Sequence, residues 1–294
     1  MLKYALLVAA QIGVGAAAIF ARYALTGAGP LAVSAARLSI AAAILLIAAA
    51  VKPPRSAPIP RKSNVLLWFA GVALAIHFAS WIASLQYTGV AISTLLVSTT
   101  PLWVAIYDNA TRERLLGMRS LCAFAAGAAG LILVVGFNST RAPVPHHEHL
   151  GDVLALIGAL AIGAYFIAVR RVGSEIGTRA VVTRTYTVAA VVLIAAAAGA
   201  RQAPPPIADA AAWSGILAMA LISQLVGHTA LNAALRWFSA GAVAFTTVLE
   251  PVTAGVLAFA IFGERLNPAA VVGAVVLLAA IALFLHDEAR SQPL

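Results

Sequence analysis

Apolar runs of about 20 residues follow one another along the whole chain, at roughly 4–25, 30–51, 65–87, 89–107, 117–136, 150–171, 178–199, 212–236, 239–262 and 268–286. Each is long enough to cross a hydrocarbon layer about 30 Å thick as a helix rising 1.5 Å per residue. The Ala, Leu and Val blocks do not alternate with polar residues as the strands of a barrel would. The expected fold class is therefore an all-α polytopic membrane protein of about ten transmembrane helices. Turn and charge signals part the runs: TGAGP at 26–30, KPPRSAPIPRKSN at 52–64, NATRERLLG at 109–117, NSTRAPVPHHEH at 138–149 and RQAPPPIAD at 201–209. None of these loops is long enough for a second, soluble domain. The first run follows Lys3 as a signal peptide would, but its length predicts an uncleaved helix.

Composition agrees with the pattern: 62% of residues are apolar and 10% charged, and mean hydropathy is +0.97. A net charge of +9 invites a nucleic-acid reading until the basic residues are sorted by side. With the N-terminus inside, one side carries Lys3, Lys52, Arg55, Arg61, Lys62, Arg112, Arg114, Arg119, Arg170, Arg171, Arg179, Arg184, Arg236 and Arg290. Only Arg22, Arg37, Arg141, Arg201 and Arg265 fall to the other. That bias predicts cytoplasmic N- and C-termini in a bacterial inner membrane, with the lipid bilayer and not nucleic acid as the partner. The single cysteine, Cys122, lies inside a run and reads as a small packing residue.

The second half repeats the first at a separation of 147–151 residues. GAAAIFAR ending at Arg22 matches GAYFIAVR ending at Arg170, and RLSIAAAILLI from Arg37 matches RTYTVAAVVLI from Arg184. His77 pairs with His228, Pro101 with Pro251, and ERL at 113–115 with ERL at 264–266. Two five-helix units result, 1–137 and 150–294, joined by an outer loop at 138–149. Five is odd, so the second unit must run through the membrane upside down, as in many alternating-access transporters.

These paired units, together with RLSIAAAILL in the second helix and LEPVTAGVLAFAIFGERL at 249–266, resemble the drug/metabolite transporter superfamily, EamA type. The first unit departs from the second motif, with Thr100 before Pro101 where the second unit has Glu250 before Pro251. The resemblance, strongest to bacterial aromatic amino-acid exporters, implies ten helices, a central cavity, and outward movement of aromatic and other neutral amino acids.

Polar residues at membrane depth are costly and point to a wet interior. His77 and Trp81 are four apart and share a helix face; His228 and Asn232 do the same in the second unit, and Gln224 extends that stripe. Each histidine either hydrogen-bonds a neighbouring helix or lines a cavity between the units. Trp103, Tyr165 and Tyr186 are aromatic candidates for the same space, whereas Trp68 and Trp213 sit near span ends, as in an interfacial belt. Pro101 and Pro251 are expected to bend or break the fourth and ninth helices. Glu250 either pairs with Arg37, which lies at a similar depth, or accepts a substrate ammonium or a coupling proton.

PHHEHLGD at 145–152 holds metal-ligating residue types without a metal spacing, and reads as a solvated loop. Gly127 and Gly130 suit close helix packing, within the chain or between copies. No nucleophile–base set or phosphate loop is present, so neither an enzyme nor a cofactor is expected, and no obligate protein partner is evident. The expected function is a secondary transporter for a small molecule. Another metabolite, a cationic drug or a channel-like facilitator are the alternatives.

Overall fold

The computed structural model describes residues 2–52, 59–88, 90–111, 117–138, 148–173, 176–262 and 268–291. Both ERL tripeptides, the loop histidines His146 and His147, and Arg55, Arg112, Arg114, Arg141 and Arg265 lie outside them. The described residues form helices and connections, with no strand among them. In chain order the α-helices are α1 Leu2–Gly15, α2 Ala17–Ala24, α3 Pro30–Val51, α4 Arg61–Ser84, α5 Val90–Val97, α6 Thr100–Ala110 and α7 Met118–Asn138. There follow α8 Glu148–Val172, α9 Thr178–Gly199, α10 Ala210–Ala218, a π-helical stretch Met219–His228, α11 Thr229–Ala234 and α12 Ala240–Thr246. A 3₁₀ turn, Thr247–Leu249, leads into α13 Glu250–Phe262, and α14 Pro268–Ser291 comes last.

Six described segments are long and apolar enough to cross a membrane: Lys3–Ala24, Pro30–Val51, Arg61–Ser84, His149–Val172, Thr178–Gly199 and Ala210–Ala234. Met118–Val134, Ala240–Ala254 and Val271–Asp287 are shorter apolar stretches. The surface suits hydrocarbon: Ile47 is 64% exposed and Ile132 61%, while Ser34, Arg37, Thr185, Ser223 and Gln224 are fully enclosed.

The runs that read as single spans are not all continuous helices. The fourth divides at residues 98–99, and Pro101 then sits in the first turn of α6, where its missing N–H costs nothing. The ninth tightens into the 3₁₀ turn just ahead of Glu250 and Pro251. In the eighth, the Thr229 amide donates to the Gln224 carbonyl five residues back, which is π-helical winding.

α4 packs on α8 and α9, α3 on α9, α1 on the π stretch, α2 on α10, and α7 on α14; α5 and α6 lie on α8, and α12 and α13 on α1. Several of these contacts bring backbones together, two of them near the middle of the bundle or on α7. A Cβ on Gly227 would lie 2.9 Å from the Val14 nitrogen, and one on Gly130 would lie 2.8 Å from the Gly273 oxygen. Gly127 meets Phe245, so both fifth-helix glycines serve packing within the chain. Cys122, by contrast, is exposed on the outward side of α7, so the expectation of a packed cysteine does not hold.

Polar contacts tie the helix ends. At one end Arg170 Nη1 donates to the Leu235 carbonyl at 3.2 Å, Ser120 Oγ donates to Asp287 Oδ2 at 2.7 Å, and Arg171 lies over the Tyr107 ring at 5.2 Å. At the other, Gln202 Oε1 accepts from the Leu31 and Ala32 amides at 2.8 and 3.3 Å, capping the start of α3. There too Trp213 Nε1 donates to the Pro206 carbonyl at 3.1 Å, whereas Arg184, back at the first end, lies over the half-exposed ring of Trp68 at 5.4 Å.

Candidate functional site

Helices α1, α2, α4, α5, α6, α8, α11, α13 and the two irregular turns all contribute side chains to one central cavity. Its walls include His77, Phe78, Trp81, Phe166, His228 and Glu250. About 20 Å³ is open to a water-sized sphere, room for roughly one water molecule.

The two histidines come together there, their ring centroids 6.4 Å apart. His77 Nδ1–H donates to the Gly158 carbonyl on α8 at 2.9 Å, which leaves Nε2 as the acceptor of the neutral ring. It therefore does both things the sequence allowed, bonding a neighbouring helix and lining the cavity. Its ring stacks on Trp81, one turn on, with centroids 6.1 Å apart and planes 5° from parallel. His228 stands edge-on to Phe78 at 5.1 Å, and its Nδ1 has no hydrogen-bond partner.

The other polar candidates fall behind this wall. Asn232 Oδ1 accepts from the Tyr165 hydroxyl at 2.7 Å, and its Nδ2 donates to the His228 carbonyl at 2.7 Å. Both ends of the amide are thus engaged, and Asn232 works as a strut between α8 and the end of the π stretch. The Tyr186 hydroxyl donates to the Gln224 carbonyl at 3.3 Å and lies 3.3 Å from Thr229 Oγ1. The side-chain amide of Gln224, fully buried, has no partner at either atom. Trp103 Nε1 donates to Thr99 Oγ1 at 3.1 Å, one turn back, and Trp103 is absent from the wall.

Arg37 departs furthest from expectation. It is fully buried, none of its three guanidinium nitrogens has a hydrogen-bond partner, and the group lies over the Phe78 ring, 4.0 Å from its centroid. The hydrogen-bonded pair with Glu250 is not made in this conformation, although the two interact electrostatically. Similar depth does not bring them together because α3 packs on α9, α4 and the π stretch, whereas α13 packs on α1, α7 and α5. Glu250 faces the cavity instead.

Sequence reasoning missed Phe78 and Phe166. No polar stripe or internal match marks them, because an aromatic in an apolar run looks like core. Thr100 and Thr247, also on the wall, adjoin the two helix breaks. One consequence is testable. Asn232→Ala removes the 2.7 Å acceptor of the buried Tyr165 hydroxyl and is expected to cost about 1–3 kcal/mol, read as a lower melting temperature in detergent. An unchanged melting temperature would mean that water replaces the amide.

In sequence, no curated protein matches the chain. A protein of known crystal structure superposes on it with a TM-score of 0.76 over 99% of both chains at 15% identity, a likeness of fold alone. The profile of the EamA-like transporter family matches residues 1–136 and 149–286. With nearly its whole length covered, the chain belongs to the EamA-like transporter family, whose members are multi-pass membrane transporters of small molecules.

Proposed function

We propose that the protein exports aromatic and other neutral amino acids from the bacterial cytoplasm, by alternating access to a site between two inverted five-helix units, 1–137 and 150–294. The observation that carries this reading is the central cavity, where His77 and Trp81 from one unit face Phe166, His228 and Glu250 from the other. Flat apolar rings beside neutral imidazoles and one carboxylate suit a small zwitterion with an aromatic side chain. Within the family, we propose a closest resemblance to the bacterial aromatic amino-acid exporter YddG, from which the same cargo would follow.

Helix packing supports the duplication. Shifted by five spans, the contact of α1 with the π stretch becomes that of α8 with α4, and the contacts of α5 and α6 with α8 become those of α12 and α13 with α1. Gly15 meets Thr253 and the Glu250 carbonyl, as Gly163 meets Val104 and Thr100. The family profile likewise falls on two stretches of similar length. Charge bias supports cytoplasmic termini in the inner membrane: a reporter at residue 146 should read outside, and an inside reading contradicts the topology.

A cavity with room for one water is a closed state, so cargo entry requires the units to part. Glu250 on its wall also favours a second reading, a cationic cargo. A competition panel decides. Labelled L-phenylalanine uptake by proteoliposomes should be suppressed more by L-tryptophan than by L-threonine, L-alanine or tetraphenylphosphonium, and Trp81→Ala should narrow that preference. Suppression by the cation alone would overturn the amino-acid reading.

A further inference from the structure

We infer that Arg37 is the anchor for a carboxylate on the cargo, reached from the cavity by displacement of Phe78. The inference rests on the transporter reading and narrows its substrate class to small carboxylates.

A guanidinium carries five N–H donors, and burying it without acceptors is among the least favourable placements for a side chain. Arg37 is nonetheless fully enclosed, and its nitrogens bond to nothing. The face of Phe78 at 4.0 Å offers weak compensation for a desolvated charge. That same ring forms part of the cavity wall and is met edge-on by His228. One aromatic side chain thus borders both the free guanidinium and the space where cargo would sit.

The surroundings have spare polar capacity too. The π stretch, which packs on α3, holds Ser223 Oγ, both amide atoms of Gln224 and His228 Nδ1, all buried and without partners. A planar fork beside spare hydroxyl, amide and imidazole groups calls for a planar anion that accepts two parallel hydrogen bonds, which is a carboxylate. Glu250, also on the cavity wall, provides the opposite charge for an ammonium on the same molecule.

Such an anchor makes two demands that a structural arginine does not. The empty protein should gain or keep stability when the charge is removed, since the buried guanidinium makes no hydrogen bond at rest. Recognition of acid over amide should vanish with it.

The full chain, purified in detergent, is therefore tested for binding of L-phenylalanine against L-phenylalaninamide, and of L-alanine against L-alaninamide. Wild type is expected to bind acids at least about 10-fold more tightly than amides. In R37M the ratio should fall to about 1, with an unchanged or raised melting temperature of the empty protein. R37K keeps the charge without the fork, should narrow the ratio, and carries the test if the methionine variant does not purify. Equal binding of acid and amide by wild type, a ratio retained in R37M, or no acid bound at all overturns the inference. So does an R37M protein of lower melting temperature that Glu250→Gln restores, because Arg37 would then be a structural partner. Stabilisation by chloride in place of sulfate, lost in R37M while acids and amides bind alike, would assign an inorganic anion and overturn it as well. If alanine binds in an Arg37-dependent way and phenylalanine does not, the anchor stands and the aromatic cargo falls.

Discussion

Gly227→Leu is expected to yield no stably folded protein. A Cβ there would lie 2.8 Å from Val14 Cγ2, 2.9 Å from the Val14 nitrogen and 3.1 Å from the Gly13 carbonyl carbon. Two of those three atoms are backbone, so no rotamer change relieves the clash, and α1 must move off the π stretch. Gly13 makes the reciprocal approach, a Cβ on it falling 2.9 Å from Gly227 Cα. Overpacking a well-filled interior costs about 1–3 kcal/mol, and separating two backbones in contact should exceed that range. Because this contact lies beside the cavity, the loss also removes Val14 and His228 from their places in its wall. Gly199→Ala is the control: nothing lies within 4 Å of its Cβ position, and it should be neutral. Size-exclusion profiles and melting temperatures of both variants decide, and a monodisperse Gly227→Leu protein with wild-type stability would show that this approach is not required.

Glu250→Gln is expected to fold normally and to lose transport driven by an ion gradient, by about 10-fold or more. The substitution keeps size and shape while removing charge from the only acidic residue among the described residues of the cavity wall. Glu250 opens α13 directly after the 3₁₀ turn, its own amide donating to the Thr247 carbonyl. Its carboxylate is not in hydrogen-bonded contact with Arg37, whose nitrogens have no partners, so neutralisation strands no cation that was paired before. Comparing gradient-driven uptake with melting temperature separates the possibilities. Loss of transport at unchanged stability marks a group that meets cargo or proton. A drop in stability would restore the ion-pair reading, and wild-type behaviour on both counts would make Glu250 a bystander.

The sequence exposed what depends on local pattern. Six of the apolar runs are helices long and apolar enough to span, because without the alternation of a barrel only a helix satisfies the backbone in lipid. His77 and Trp81 share a face because α4 is regular throughout, so four-residue spacing holds and their rings stack. The same rule carried less far on the partner side. From Met219 to His228 the hydrogen bonds reach back five residues, each turn takes more than four, and Gln224 does not follow His228 onto the wall. The stretch packs on α1 and α3, and no residue in MALISQLVGH announces its winding. Depth along a helix was likewise legible for Arg37 and Glu250, but direction around the axis was not. Asn232 and Tyr165 looked like cargo contacts because a polar group in a membrane needs a partner, and each found it in the other.

The measurement that tests a carrier for aromatic amino acids most directly is counterflow. Proteoliposomes loaded with excess unlabelled L-phenylalanine are diluted into trace labelled L-phenylalanine, with wild-type and His228→Ala protein compared. The account predicts a transient accumulation of label above equilibrium in wild type, saturable with internal substrate, and its loss in the variant. Label that enters without overshoot, at a rate proportional to concentration, would make the protein a channel, and no specific entry at all would contradict the aromatic cargo.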